Sequence, residues 1–301
     1  MFGANVFGWT ADAGMSFRLL DALAEAGLNA IDTADAYSRW VPGHTGGESE
    51  AIIGVWLKQR GKRDKVIIAT KVGMDLGPGR NGLSKARIVA AVEELLIRLQ
   101  TDYIDLYQAH RDDQQTPLEE TLEAFAGLIK AGKVRAIGAS NYSRDRLGQA
   151  LEVSAEHGLP RYESLQQHYN LMERKSFEDE LAPFCLEHDV GVINYYGLAA
   201  GFLTGKYRSE VDLAKSQRGA GAKKYLNERG MRVLAALDEI AARLAATPAQ
   251  VALAWLIAQP SVTAPIASAT DLDQLADLVK SARLLLDKSA MAALDDASRE
   301  L

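Results

Sequence analysis

The chain has a single cysteine, Cys185, so it contains no internal disulfide. That thiol falls in a helical pattern and reads as a small core residue, and a reducing cytoplasm is the expected compartment. No apolar run approaches the ~20 residues that span a bilayer; the longest, such as Val251–Ala258, stop far short. The N-terminus shows no basic segment leading into an apolar stretch, so no secretory signal is expected. Cations are not in excess: 34 Lys and Arg stand against 40 Asp and Glu, a net charge of −6. Without a basic stripe, nucleic acid is not an expected partner, and neither is a membrane. His44 and His168 have no cysteine or histidine partners at ligand spacing, so no metal site is expected. A Gly-x-Gly-x-x-Gly after a strand, the usual dinucleotide fingerprint, is also absent. No linker rich in Pro, Gly or Ser divides the 301 residues, which read as one domain, 1–301.

What the sequence does have is alternation. Apolar, β-branched runs at 3–9, 28–33, 65–71, 103–109, 134–139, 163–169, 191–196 and 262–267 predict eight strands. Helical periods follow each, at 14–26, 48–60, 85–100, 117–131, 144–157, 177–188, 229–258 (two helices in one interrupted stretch) and 271–283. Continuous apolar strands are buried on both faces, and regular βα alternation predicts a parallel sheet. Eight such units make the α/β class and a (β/α)8 TIM barrel. Thr116-Pro117-Leu118-Glu119 and Thr247-Pro248-Ala249-Gln250 both read as capping boxes, and Gly132 as a helix stop. The polar stretch Lys206–Arg229 interrupts the pattern as a long loop able to close over a phosphate.

Four polar residues fall at or just beyond the C-terminal ends of successive predicted strands: Asp32, Tyr37, Lys71 and His110. In a parallel barrel those ends share one face, where chemistry is done. Singly, each is explained as well by capping or packing; together they form a proton-donating site. A phenol with a pKa near 10 is a poor acid, and a neighbouring ammonium lowers that value. Lys71 supplies the ammonium, Asp32 the counter-charge that keeps it protonated, and His110 orients a carbonyl oxygen. Reducing a carbonyl also requires a hydride, which no side chain carries and a nicotinamide does.

At these residues the chain resembles the aldo-keto reductases, over almost its entire length. The matching segments are Asn29–Tyr37, Gly47-Glu48-Ser49-Glu50, Ala69-Thr70-Lys71 and Asp105–His110. Gly138-Ala139-Ser140-Asn141-Tyr142 is similar to the segment that holds the nicotinamide carboxamide, with Gln166 ahead of Tyr169-Asn170-Leu171. Tyr195, in Tyr195-Tyr196-Gly197-Leu198, matches a tyrosine that stacks on the nicotinamide, and Gly201–Lys206 resembles the loop over the pyrophosphate. The resemblance implies an NAD(P)-dependent oxidoreductase with Tyr37 as acid and Asp32, Lys71 and His110 around it. It implies cofactor contacts from Ser140, Asn141, Gln166, Tyr195, Gly197, Leu198, Gly201 and Lys206.

Three departures qualify it. The family's short N-terminal plug hairpin has no counterpart ahead of Phe2-Gly3-Ala4-Asn5. After the last strand, Ser268, Thr270 and Gln274 stand where many members carry a cation for the 2′-phosphate, and Asp271 lies among them; Arg218 would compensate. NADP(H) is favoured on this reading and NAD(H) remains open. Finally, Ser38–Thr45 is long, and with Trp9, Trp40 and Arg111 it offers a pocket suited to an oxidised sugar such as a 6-oxo-glucose, as in bacterial members that reduce such compounds. The expected partner is therefore a small carbonyl compound. The alternatives are a Schiff-base aldolase using Lys71, and a non-catalytic nicotinamide-binding subunit of the kind that serves channels.

Overall fold

The computed structural model describes residues 1–300. Its strands follow chain order: β1 (Phe2–Gly3), β2 (Ala30–Asp32), β3 (Ile67–Val72), β4 (Ile104–Ala109), β5 (Val134–Ser140), β6 (Tyr162–His168), β7 (Gly191–Tyr195) and β8 (Val262–Pro265). They form one sheet in the order β1 to β8, and every neighbouring pair is parallel. Phe2 bridges Ala267 just beyond β8, and the Gly3 amide donates to the Ala267 carbonyl at 2.9 Å, so the sheet closes into a (β/α)8 barrel. The helices are α1 (Ala13–Glu25), α2 (Glu48–Arg60), α3 (Lys85–Leu99), α4 (Leu118–Lys130), α5 (Arg144–His157), α6 (Ala182–Glu187), α7 (Gly219–Ala222), α8 (Glu228–Arg243), α9 (Pro248–Ile257), α10 (Leu272–Ser281) and α11 (Lys288–Ser298). Among the described residues no single helix is long and apolar enough to cross a membrane.

The pleat decides which side chains reach the barrel interior. Thr70 points outward to α2, where its hydroxyl donates to Glu50 at 2.5 Å; its neighbour Lys71 must then point inward. Tyr107 packs edge-on against Phe125 of α4, which leaves Gln108 facing inward. Asp32 and Gln166 reach the same interior and meet there at 2.8 Å. Polar residues at the C-terminal end of the barrel are thus a consequence of two-residue periodicity on strands whose other face is covered by helices.

Several elements differ from the sequence-based expectation. The first strand is two residues, because the chain turns at once into a 3₁₀ turn (Ala4–Val6); the Val6 carbonyl then gathers the amides of Trp9, Thr10 and Ala11. Thr116 does not cap α4: its hydroxyl donates to Asp113 at 2.8 Å, and the helix begins after Pro117 with no side-chain cap. Thr247 and Gln250 do form their reciprocal box at α9. The stretch Lys206–Arg229 is ordered into short helical turns that bury Tyr207, Ala222 and Tyr225. Helix α11 had not been expected; Asp287 caps it, and Asp295 on it accepts from Trp255 of α9 at 3.0 Å.

One close contact makes a stability prediction. At Gly54 on α2, an added Cβ would stand 2.7 Å from the Leu99 carbonyl carbon at the end of α3. The obstacle is backbone, which cannot swing aside. Gly54→Ala should lower stability by about 1–3 kcal/mol despite the better helix propensity of alanine. A urea midpoint equal to wild type would show that α2 and α3 have slack.

Candidate active site

Asp32 ends β2 and is 1 % exposed. Its Oδ2 accepts from Lys71 Nζ at 2.8 Å and from the Tyr37 hydroxyl at 3.0 Å, and its Oδ1 accepts from Gln166 Nε2 at 2.8 Å. Lys71 is fully buried and also donates to the Thr33 carbonyl at 2.8 Å and to the Tyr37 oxygen at 2.7 Å. Three donated bonds require all three hydrogens of an ammonium. Burial pushes Lys71 down from its ordinary value, and the charges of Asp32, Asp35 and Glu50 oppose that. The carboxylate, ammonium and phenol therefore form one contact triangle, as the sequence predicted.

The electrostatics of Tyr37 differ from expectation. Burial, and after it the Asp32 carboxylate, push the phenol well above its usual range, so the lysine does not lower it on balance in this state. Tyr37 holds its proton at neutral pH, as a donor must. His110 is pushed well below the usual histidine range by burial and by the charges of Lys71 and Arg111, so it is a neutral imidazole. Its ring meets the Tyr37 ring edge-on at 6.1 Å, and its buried Nδ1 has no partner among the described residues.

Trp9 and Trp40, expected to wall a substrate pocket, lie on the side of the phenol. Trp40 lies 6.3 Å from Tyr37 and 5.6 Å from Trp9, ring to ring. Arg111 follows His110 and is exposed. Arg218, expected at the cofactor phosphate, lies over the Trp9 ring at 5.4 Å. One of its Nη atoms is buried without a hydrogen-bond partner.

The residues expected to hold a nicotinamide cofactor also converge. Asn141 takes a left-handed backbone with φ 58°, which asparagine tolerates, and donates to Ser140 Oγ and the His110 carbonyl at 3.0 Å each. Its Oδ1 accepts from the Tyr195 hydroxyl at 2.7 Å. Tyr195 stacks on His168 at 5.4 Å. Beyond Gly197 and Leu198, the residues Ala199, Ala200 and Gly201 are all left-handed. Two alanines there cost of order 1 kcal/mol each, strain of the kind kept at functional sites. Within the turn the Ala199 amide donates to the Tyr196 carbonyl at 2.7 Å and the Gly201 amide to the Leu198 carbonyl at 2.8 Å. Lys206 rests over the Tyr207 ring at 5.0 Å. Past β8, the Thr270 hydroxyl donates to Gln274 Oε1 at 3.2 Å, and Ser268 donates to Asn5 at 2.7 Å. Asp271 caps α10, accepting from the Gln274 amide at 2.8 Å. These donors, and the barrel's open polar end, fit a dinucleotide. Among the described residues no group of three or more His, Cys, Asp or Glu is placed to hold a metal.

Two features escaped the sequence. Asp35, read as a turn residue, is buried and pairs with Arg87 at 3.3 Å; burial and the Glu50 charge raise its carboxyl to about 7. Gln108 lies inside the barrel beside Gln166. Its signal was a polar residue on the inward side of a buried strand, two positions before His110.

The pattern that defines the Aldo/keto reductase family matches residues 1–299. The Bacillus subtilis protein named Uncharacterized oxidoreductase YrpG is 36% identical over 98% of this chain and 90% of its own length. The Escherichia coli L-glyceraldehyde 3-phosphate reductase is 32% identical over 85% of this chain and 75% of its own. An Arabidopsis thaliana protein named Probable voltage-gated potassium channel subunit beta is 32% identical over 93% and 86%. A family match spanning the barrel, joined to a buried carboxylate, ammonium and phenol at its open end, makes this chain a member of the aldo/keto reductase family and an NAD(P)-dependent oxidoreductase.

Proposed function

We propose that the protein reduces a small polyhydroxylated aldehyde or ketone, with Tyr37 as the proton donor. The observation that carries this reading is the triangle of Asp32, Lys71 and Tyr37 at 2.7–3.0 Å. A bound nicotinamide supplies the hydride to the carbonyl carbon. The Tyr37 hydroxyl gives its proton to the carbonyl oxygen as that oxygen gains charge. Lys71, already donating to the Tyr37 oxygen, stabilises the phenolate left behind, and Asp32 keeps Lys71 charged. His110, neutral, orients the substrate oxygen. Ser140, Asn141 and Gln166 would hold the carboxamide, Tyr195 the ring, and the segment Ala199–Gly201 with Lys206 the pyrophosphate. Ser268, Thr270 and Gln274 would receive the adenosine end, with NADP(H) favoured over NAD(H). An aldolase using Lys71 is disfavoured, because an amine whose three hydrogens are all donated has no free lone pair.

Trp9 and Trp40 offer ring faces and Arg111 and Arg218 offer donors, a mixture that suits hydroxylated carbon chains, including oxidised sugars. The relative named for L-glyceraldehyde 3-phosphate supports the same class. Each substrate hydroxyl bonded contributes about 0.5–1.5 kcal/mol, so glyceraldehyde should exceed propanal in kcat/KM by about tenfold or more. Calorimetric titration with NADPH and NADH comes first, followed by that comparison. Binding of neither cofactor by folded protein would remove the reductase reading, and a preference for propanal would remove the substrate class.

A further inference from the structure

The interior side of Gln166 carries an arrangement that cofactor contact alone does not require. Its Nε2 donates to Asp32 Oδ1 at 2.8 Å and, more weakly, to Gln108 Oε1 at 3.4 Å. Both hydrogens of the amide are thus turned inward, and its oxygen is the only group left for a ligand. A flip would set that oxygen against the Asp32 carboxylate, so Asp32 and Gln108 together fix the amide's sense. Gln108 is tightly packed, and its own Nε2 has no hydrogen-bond partner among the described residues. It is fully buried, and Gly138 on the next strand leaves it no spare room: a Cβ there would stand 3.1 Å from Gln108 Cγ.

We propose that Gln108 and Gln166 form an amide relay joining the nicotinamide seat to the acid, with Gln108 as a positioning residue for proton donation. The inference rests on the reductase reading above. With its oxygen facing the cofactor, Gln166 accepts from the carboxamide NH2. Held in that sense, the amide fixes the Asp32 carboxylate with Oδ1 on Gln166 and Oδ2 turned to Lys71 and Tyr37. Asp32 is thereby kept in place as the counter-ion of the Lys71 ammonium. Gln108 touches neither cofactor nor substrate on this reading; it acts by holding Gln166.

The groups that face Lys71 are Asp32 from β2, Tyr37 and Asp35 from the segment after it, Glu50 from α2 and His110 from the end of β4; the Met1 amino group acts on Asp32. Loosening Gln166 frees the Asp32 carboxylate to turn away from Lys71. Lys71, already disfavoured as a cation by burial, then loses its proton at lower pH.

The test is Gln108→Met, which keeps the volume and removes the acceptor. NADPH affinity is measured by calorimetry, and kcat is followed against pH at saturating NADPH. Affinity should weaken about threefold to tenfold, the loss of one hydrogen bond's ordering. The alkaline limb of kcat should move to lower pH by about half a unit or more. A folded variant with wild-type affinity and a wild-type profile overturns the relay. Should Gln108→Met fail to fold, Gln166→Met poses the same question by removing both donors without adding a charge beside Asp32. Its alkaline limb should also move down at saturating cofactor, whereas weaker NADPH binding with an unmoved limb would reduce Gln166 to a cofactor contact and overturn the proposal. Wild-type protein that binds neither cofactor overturns the relay together with the reductase reading; wild-type binding with unmoved variant profiles overturns the relay alone.

Discussion

Tyr37→Phe should lower kcat by a factor of about 10²–10⁴, the usual contribution of a positioned general acid. The change deletes one oxygen and leaves the ring contacts with Trp40 and His110 in place. Cofactor affinity should therefore stay at the wild-type value, and so should the substrate KM to the extent that KM reports binding. The loss is expected in the chemical step because the deleted oxygen is where Lys71 aims a hydrogen bond at 2.7 Å. That bond gains strength only when the phenol becomes a phenolate, which is a difference between transition state and ground state. The high pKa of Tyr37 in the unliganded site does not weaken this expectation. A donor has to be protonated before it acts, and the nearby ammonium acts on the product of donation. Single-turnover reduction of glyceraldehyde with pre-bound NADPH would measure the step directly. A variant that turns over at the wild-type rate would pass the proton-donor role to another group, with His110 the nearest candidate.

The meeting of the four candidate residues was legible because parallel barrels follow a simple rule. Once eight βα units are recognised, the C-terminal ends of the strands must share a face. Asp32, Tyr37, Lys71 and His110 could be placed together without knowing a single distance. The interior layer beneath them was less legible. Gln108 and Gln166 are ordinary polar residues on apolar strands, and only the barrel's closure brings residues from β2, β4 and β6 within bonding distance. The setting of Arg218 was illegible for a different reason. Its position depends on how the segment after β7 folds back, and a polar stretch of short helical turns has no period to read. Asp35 looked like a turn residue because its partner Arg87 is fifty-two positions away, on α3. Local signals fared better at helix ends, where Thr247 and Gln250 sit three apart, yet Thr116 shows that a nearby carboxylate can take a capping hydroxyl away.

Lys71→Met should stop catalysis and also destabilise the fold by about 3–5 kcal/mol, the cost of leaving one member of a buried ion pair alone. Asp32 is buried, and without Lys71 its charge faces only the donors of Gln166 and Tyr37. Those two bonds are dipolar and cannot replace a unit charge at 2.8 Å. The double variant Asp32→Asn with Lys71→Met separates charge from chemistry. It removes both charges, keeps similar volume, and should regain most of the lost stability, since a neutral pair in a buried site avoids the desolvation that the ion pair bears. Activity should not return, because no ammonium remains to stabilise the Tyr37 phenolate. Urea unfolding of the wild type, the two single variants and the double gives the coupling between the sites, and the same four proteins give kcat. Additive stabilities would mean that Asp32 and Lys71 are not paired in solution as they are in the barrel. Recovery of activity in the double variant would mean that the phenol donates unaided, and the three short bonds around Lys71 would then be serving the fold rather than the reaction.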